Sequence, residues 1–234
     1  MINALDPLWQ RAGRLLLRLR YLLWQRRRHN RLVLERVLGC DLLILPGVMN
    51  PRLFRTGEFL AAQLDQTLIP PGSRVLDMGT GSGIGAIVAA RWAGEVLAVD
   101  INPAAVRCAN INRQLNGVEE RVQVLGGDLF WPVGARRFHV VLFNPPFFRG
   151  RPQDPFDYAW RSEDTVERFA EGLGRHLTPG GYALLVLSSD GDAPAFLRCF
   201  EQQGFERRVV ARRALLAETL TVYQFRPPED PCPQ

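Results

Sequence analysis

Apolar segments of strand length alternate with helical segments from residue 74 to residue 225, and this alternation limits the fold more than any other feature of the sequence. Regular alternation of this kind predicts a doubly wound α/β fold, with mostly parallel strands and helices on both faces of the sheet. The last two strands are close enough along the chain to pair antiparallel at one edge. The predicted strands are 74–78, 95–99, 122–125, 139–143, 182–188, 207–211 and 219–225, and the predicted helices are 56–68, 85–93, 103–116, 165–177 and 193–203.

The composition is that of one globular domain with a short extension. Of the 234 residues, 47% are hydrophobic and 23% are charged, which excludes a disordered chain. The apolar runs are far shorter than the roughly 20 residues that span a bilayer, so no transmembrane segment is predicted. The four cysteines are scattered, without the spacing of metal ligands or of a disulfide framework. We therefore expect free thiols in a cytoplasmic protein, and no metal site.

Positive charge is concentrated near the N-terminus. Residues 1–36 contain nine arginines and two acidic residues, a balance of +7, whereas the rest contains 20 arginines and 22 acidic residues. Leucines recur there at helical spacing, which predicts a basic amphipathic helix, followed by a second short helix or an extended piece around Leu32–Leu38. Either its leucines pack on the domain, or the helix contacts RNA or another anionic surface. The predicted division is a helical arm over 1–45, a domain over 46–226 and a Pro-rich tail over 227–234.

A glycine-rich turn follows the first strand of the predicted sheet. The segment Asp77-Met78-Gly79-Thr80-Gly81-Ser82-Gly83 ends that strand and opens a helix. Glycines at such a turn let the backbone approach a ligand and adopt positive φ. Alone, the turn would also suit a dinucleotide. Because the Asp77 carboxylate would repel a pyrophosphate and attract a cation, we expect a cationic cofactor.

Two further acidic residues follow the next two strands. Asp100 ends the strand 95–99, where a carboxylate suits hydrogen bonds to ribose hydroxyls. Asp128 follows the strand 122–125, where it could accept a hydrogen bond from an adenine amino group. Asp128 alone fits a turn or a helix cap equally well.

The segment Asn144-Pro145-Pro146-Phe147 follows the strand 139–143. Prolines stiffen the loop and have no backbone donor, which leaves carbonyl groups free as acceptors. The Asn144 side-chain oxygen and the Pro145 carbonyl could both accept from one planar amino or amide group. Phe147 could then stack on the flat group that carries the nitrogen.

Together these residues resemble the class I S-adenosyl-L-methionine (SAM) methyltransferases that act on nitrogen through an N-P-P-[YF] motif. Their first motif, D/E-x-G-x-G-x-G, is matched from Asp77 to Gly83. The resemblance implies a seven-stranded Rossmann-like methyltransferase sheet, SAM as cofactor and an acceptor site at Asn144, Pro145, Pro146 and Phe147. It implies that the SAM site contains Thr56, Asp77, Gly79, Thr80, Gly81, Gly83, Asp100, Ile101, Asp128, Leu129 and Asn144.

The C-terminal third resembles the short branch of the HemK-type protein glutamine methyltransferases, at 158–160, 166–169, 177–181 and 204–225. This resemblance implies methylation of glutamine N5 in a peptide release factor, and a small activator protein as partner. Two features depart from that branch and suit an enzyme acting on RNA: Phe147, where glutamine enzymes mostly have tyrosine, and the arginine-rich arm.

Other functions stay open at this point. Methylation of adenine N6 or guanine N2 in RNA or DNA is the alternative, and a small-molecule acceptor is a third candidate. A scaffold without activity is disfavoured because the sequence keeps both the N-P-P-F motif and the acidic residues expected at the cofactor.

Overall fold

The computed structural model describes residues 31–153, 157–216 and 218–228. The strands are β1 Val33–Val37, β2 Cys40–Ile44, β3 Arg74–Met78, β4 Glu95–Asp100, β5 Val122–Gly126, β6 Phe138–Phe143, β7 Phe148–Arg149, β8 Arg161–Ser162, β9 Leu177–Ser188, β10 Glu206–Ala214 and β11 Thr219–Arg226. The helices are α1 Pro51–Phe54, α2 Thr56–Ala61, α3 Ile84–Ala89, α4 Pro103–Leu115, α5 Thr165–Leu173 and α6 Ala193–Gln202. Short 3₁₀ turns lie at Trp131–Val133, Asp157–Ala159 and Gly174–His176.

Seven of these strands form one sheet in the order β10-β11-β9-β6-β3-β4-β5. Pairing is parallel from β9 across to β5. It is antiparallel between β9 and β11 and between β11 and β10. The predicted doubly wound sheet with an antiparallel edge is therefore confirmed.

Side-chain alternation divides the core between the two faces of the sheet. Along β4, Val96 and Ala98 belong to one apolar cluster, and Leu97 and Val99 belong to the other. The first cluster includes residues of α2, α3 and α4, and the second includes residues of α5 and α6. Both faces are covered, which is why these strands read as continuous apolar runs and not as alternating ones.

The direction of chain travel reverses at β3. From β3 the chain moves outward through β4 to β5, then returns to place β6 on the other side of β3. In open α/β sheets, ligands bind at such a switch point, beyond the carboxyl ends of the strands. The fold therefore places a crevice where Met78, Asp100 and Phe143 end their strands.

The N-terminal part of the described chain differs from the predicted helical arm. Strands β1 and β2 form an antiparallel hairpin, so the prediction of a helical arm over 1–45 is wrong for 33–44, and of the two alternatives for 32–38 the structure has the extended one. Alternate hairpin side chains, including Val37 and Leu42, are buried in the first core cluster, and this burial favours strand over helix. The predicted basic helix within residues 1–30 lies outside the described residues, as does most of the tail 227–234.

Three predicted helices end four or more residues earlier than expected, and the one predicted over 85–93 ends at Ala89. The helix over 56–68 ends at Ala61, because the Asp65 carboxylate accepts from the backbone of Thr67 and Leu68 and forms a turn. The helix over 165–177 ends at Leu173, and Leu177 already begins β9, which is therefore longer than the predicted strand 182–188. Within the described residues, no helix is both long and apolar enough to cross a bilayer.

Asn112 attaches the hairpin to the sheet domain. Its fully buried side chain accepts from Leu43 N at 2.7 Å and donates to Leu43 O at 3.1 Å and Ser82 O at 2.8 Å. One amide thus satisfies backbone groups of β2 and of the glycine-rich turn. Leu43 O also accepts from the Cys108 thiol at 3.1 Å, whereas Leu43 N and Ser82 O have no other hydrogen-bond partner among the described residues.

We predict that Asn112→Leu lowers the free energy of unfolding by about 3 kcal/mol, because it leaves two backbone groups, Leu43 N and Ser82 O, without a partner. Urea unfolding followed by circular dichroism measures this loss. Asn110→Leu is the matched control: the Asn110 amide donates only to Val106 O in its own helix, so the expected loss is below about 0.5 kcal/mol. Equal losses in the two variants would contradict the role given to Asn112.

Candidate active site

A cavity of about 410 Å³ lies at the carboxyl ends of β3, β4 and β6. It is formed by the glycine-rich turn, the segments that follow β4, β5 and β6, and the segment that leads into α5. The sequence-predicted residues that line it are Gly79, Thr80, Gly81, Asp100, Ile101, Asp128, Leu129, Asn144 and Pro146. Thr56, Asp77, Gly83, Pro145 and Phe147 are placed around it.

The Asp77 carboxylate lies beneath the glycine-rich turn. Its Oδ2 accepts from Thr80 Oγ1 at 2.6 Å and from Ala86 N at 2.9 Å, so it joins the turn to the start of α3. Burial, the largest effect, raises the pKa of Asp77 from 3.8 to about 6. The structure thus gives Asp77 a role in shaping the turn, where the sequence suggested direct attraction of a cationic cofactor.

Glycine is required at two positions of this turn for steric reasons. Gly83 has φ +86°, and a Cβ there would lie 3.2 Å from the Ala109 Cα. At Gly85, a Cβ would lie 2.8 Å from Asp77 Oδ1. The glycines therefore allow the turn to close over the carboxylate and to pack against α4.

Asp100 lines the cavity with a carboxylate that the backbone holds in place. Its Oδ2 accepts from Gly81 N at 2.8 Å and its Oδ1 from Asn102 N at 2.9 Å. Burial raises the pKa of this carboxyl, and the two hydrogen bonds oppose that rise. Each carboxylate oxygen retains acceptor capacity for a hydroxyl group. Next to it, Ile101 lines the cavity with an apolar side chain that is 47% exposed.

Asp128 pairs with Arg168 of α5, and both residues line the cavity. The ion pair joins the loop after β5 to helix α5. Arg168 also lies 3.7 Å from Asp164, so one guanidinium serves two carboxylates. Leu129 has φ +45°, which is unusual for a non-glycine residue and turns the loop inward at this end of the cavity. No pattern in the sequence indicates the contact between Asp128 and Arg168.

Asn144 presents an unpaired acceptor at the end of β6. Its Nδ2 donates to Thr56 Oγ1 at 3.2 Å, which fixes the amide plane. Its Oδ1 is buried and has no hydrogen-bond partner among the described residues. A buried acceptor without a partner is costly unless a ligand satisfies it. Pro146 lines the cavity beside Asn144.

Phe147 differs from its expected role. Its side chain is only 8% exposed and packs in the second core cluster, so it is not positioned to stack on an acceptor. Its carbonyl accepts from Asp192 N, and a Cβ on Gly191 would lie 2.7 Å from the Phe147 Cβ. Tight packing against the start of α6 therefore draws this ring into the core.

Other aromatic residues lie on the open side of the cavity. Phe54 and Tyr158 line it, and the Phe54 ring meets the Trp160 ring edge-on at a centroid distance of 4.5 Å. Sequence reasoning named 158–160 only as a family resemblance and passed over Phe54. Phe54 ends the four-residue helix α1, and Tyr158 lies in a three-residue 3₁₀ turn. Elements this short show no periodicity that would mark which side chains converge.

These features define a class of protein. A switch-point cavity with a glycine-rich turn, a carboxylate after the second strand and an Asn-Pro-Pro loop fits a Rossmann-like methyltransferase domain. The family model described as "Methyltransferase small domain" matches residues 41–212, and the chain belongs to that family. It thus contains a SAM-dependent methyltransferase domain, as predicted, and the resemblance to HemK-type enzymes is confirmed at the level of the family.

Individual relatives differ in their named substrates. The chain is 31% identical to the release factor glutamine methyltransferase of Gloeobacter violaceus, over 72% of this chain and 66% of that protein. It is 32% identical to the ribosomal RNA small subunit methyltransferase C of Alcanivorax borkumensis, over 62% of this chain and 42% of that protein. It therefore spans less than two thirds of each.

A solved structure supports the fold. The 16S rRNA N2 G1207 methyltransferase of T. Thermophilus, in complex with AdoMet and guanosine, matches with a TM-score of 0.63 and 24% identity. The match covers 84% of this chain and 50% of that one.

The raised pKa of Asp77 predicts a pH dependence of stability. The Asp77 carboxyl keeps its proton to about pH 6 in the folded protein, whereas in the unfolded chain it releases the proton near pH 3.8. The stability linked to this proton is therefore full below pH 3.8 and is lost as the pH rises through about 6. Relative to Asp77→Asn, we expect the wild type to lose about 2 kcal/mol of unfolding free energy between pH 4 and pH 7.

Chemical unfolding at several pH values tests this prediction. Asp65→Asn is the contrasting control, because hydrogen bonds, led by that from Thr67, lower the pKa of Asp65. Stability linked to Asp65 is therefore lost in the opposite direction, as the pH falls. Parallel pH curves for wild type and Asp77→Asn would refute the assignment.

Proposed function

We propose that this protein transfers a methyl group from SAM to an amide or exocyclic nitrogen. The observation that carries the proposal is the buried Oδ1 of Asn144, an acceptor without a partner in the described residues, at the cavity end of β6. An N–H group of the acceptor would satisfy it. Asn144, Pro145 and Pro146 would thus bind the nucleophile, with Phe147 supporting the loop from the core.

The cofactor side of the cavity suits SAM in its residue types. Asp100 would accept from the ribose hydroxyls, and Ile101 and Leu129 would cover the adenine with apolar surface. Asp128 retains an oxygen that does not contact Arg168 and could accept from the adenine amino group. The backbone from Gly79 to Gly81 would approach the methionine part, with Asp77 and Thr80 holding the turn beneath it.

The chain's own contribution to catalysis is orientation. SAM supplies an electrophilic methyl group. Thr56 fixes the Asn144 amide, and Asn144 Oδ1 in turn fixes the acceptor N–H, so that the nitrogen is held at one position. The acceptor oxygen also stabilises positive charge that develops on that nitrogen. The proton can leave to solvent after transfer.

Asn144→Ala should lower kcat by about 10²–10³-fold and leave the Kd for SAM within about twofold, because Asn144 binds the acceptor. Isothermal titration gives the Kd, and steady-state methyl transfer gives kcat. Asn110→Ala is the control, since Asn110 lies on α4 and bonds only within its helix. A comparable loss of SAM affinity in Asn144→Ala would assign Asn144 to the cofactor instead.

For the acceptor, we propose glutamine N5 of a protein, of the kind named in the release factor relative. A release factor would then be the substrate, with a small activator protein as a further partner. The alternative is a base nitrogen in RNA, which the similarity to an rRNA methyltransferase favours. The excess of acidic residues outside 1–36 favours a protein acceptor over extensive contact with RNA at the site.

The acceptor can be identified directly. Lysate from cells that lack the gene is incubated with the protein and SAM carrying a radiolabelled methyl group, then treated with nuclease or protease. Label that survives nuclease and migrates at the size of a release factor supports glutamine. Label that is lost with nuclease and kept after protease would contradict the glutamine proposal and identify a nucleic-acid base as the acceptor.

A further inference from the structure

The free edge of the sheet is strongly basic. The edge strand β10 contains Arg207, Arg208, Arg212 and Arg213, and all four side chains are exposed. Arg207 pairs with Glu201 of α6 at 2.6 Å. The other three form no ion pair with any residue that the structure describes. Residues 37–234 together carry a slightly negative net charge. Positive charge is therefore concentrated at this strand, which has three arginines without an ion-pair partner among the described residues.

Strand register places two of these arginines at the same end of the sheet as the active site. Phe143, the last residue of β6, is level with Leu185, then with Tyr223, then with Val209 of β10. Strand β10 runs parallel to β6, so Arg212 and Arg213 lie beyond that level, toward the cavity end. Three strand spacings separate β10 from β6, or about 15 Å.

The strand presents arginine on both faces of the sheet. The bulge between Val209 and Ala211 shifts the register, after which Arg212 is paired with Thr221 and Arg213 with Leu220. Consecutive residues face opposite ways. On the Arg212 face lies a shallow groove of about 220 Å³, whose lining includes Ser189, Thr219, Thr221 and Tyr223.

We propose that this edge, defined by Arg208, Arg212 and Arg213, binds the phosphate backbone of RNA beside the active site. Guanidinium groups bind phosphate through paired hydrogen bonds. The hydroxyl groups and the Tyr223 ring in the adjoining groove supply contacts that suit sugars and bases. The nearby Glu218 carboxylate is engaged by the Ser188 hydroxyl. The inference holds whichever nitrogen accepts the methyl group.

An RNA backbone fits better than an acidic protein segment. The arginines extend over six residues of strand, roughly 16 Å, and occupy both faces as well as the edge. A regularly charged polymer can follow such a track, and aromatic and hydroxyl groups next to it have partners in every nucleotide. Charged side chains on an edge strand also prevent pairing between sheets, and that role alone predicts no difference in RNA affinity.

The test measures the salt dependence of RNA binding by the full chain. Fluorescence anisotropy with a labelled single-stranded RNA, from 50 to 300 mM salt, gives the slope of log K against log salt. The triple variant Arg208→Gln, Arg212→Gln, Arg213→Gln should bind at least tenfold more weakly at the lowest salt. Its slope should be smaller by about 2, since each phosphate contact contributes about 0.7 for single strands.

A matched triple variant removes the same charge from the opposite end of the sheet. Arg74, Arg137 and Arg175 are exposed and form no ion pair among the described residues. They lie at the first residue of β3, one residue before β6 and two residues before β9. Changing these three arginines to glutamine should alter the slope of log K against log salt by less than about 0.5. Both variants keep the N-terminal arginines, so any contribution of those arginines to RNA binding is the same in the two. Equal slopes for the two variants would overturn the proposal, as would tighter binding of a poly-glutamate peptide than of RNA.

The midpoint of urea unfolding shows whether each variant is folded. If the triple variant is destabilised, the single variant Arg213→Gln replaces it, with an expected slope change of about 0.7. The readout requires neither SAM nor turnover. RNA binding and methyl transfer to glutamine can therefore fail independently of each other.

Discussion

The buried carboxylate of Asp77 is the interaction on which the rest of the site depends. It lies at the switch point of the sheet and binds both Thr80 of the turn and the first turn of α3. A Cβ at residue 85 would lie 2.8 Å from Asp77 Oδ1. Because Gly85 has no Cβ, α3 can begin close to this carboxylate. The turn then delivers Gly81 N to Asp100. One buried acidic residue thus sets the relative positions of the ends of two strands.

The acceptor side depends on a contact between segments far apart in sequence. Thr56, the first residue of α2, accepts the hydrogen bond that orients Asn144. Arg55, directly before it, adopts φ +57° to join α1 to α2, so the position of Thr56 is set by a strained connection. The aromatic residue Phe54 precedes that connection and faces the cavity. Changes in this short segment would therefore reach Asn144 through Thr56.

Local sequence patterns predicted the sheet well, because buried parallel strands leave a clear apolar signal. Strand β3 begins and ends where the sequence indicated, and the residues at strand ends, such as Asp100 and Asn144, lie at the cavity as expected. Apart from the hairpin and the ends of some helices, the errors concern side-chain contacts. Asp77 is bound by Thr80 of its own turn and by Ala86, Phe147 is packed against Gly191, and Arg168 pairs with Asp128. The last two contacts join segments about 40 residues apart, so no local pattern indicates them.

Charge within the cavity is distributed unevenly, and this bears on how a cationic cofactor is held. Asp128 is paired with Arg168, so its negative charge is compensated. Asp100 receives only backbone N–H groups, and in this partly buried position its charge has no cationic partner in the described residues. The uncompensated charge therefore lies where the glycine-rich turn meets β4, and not at the Asp128 end. Coulomb attraction in a low-dielectric cavity would favour a positive centre near Asp100, whereas the compensated end suits a neutral base.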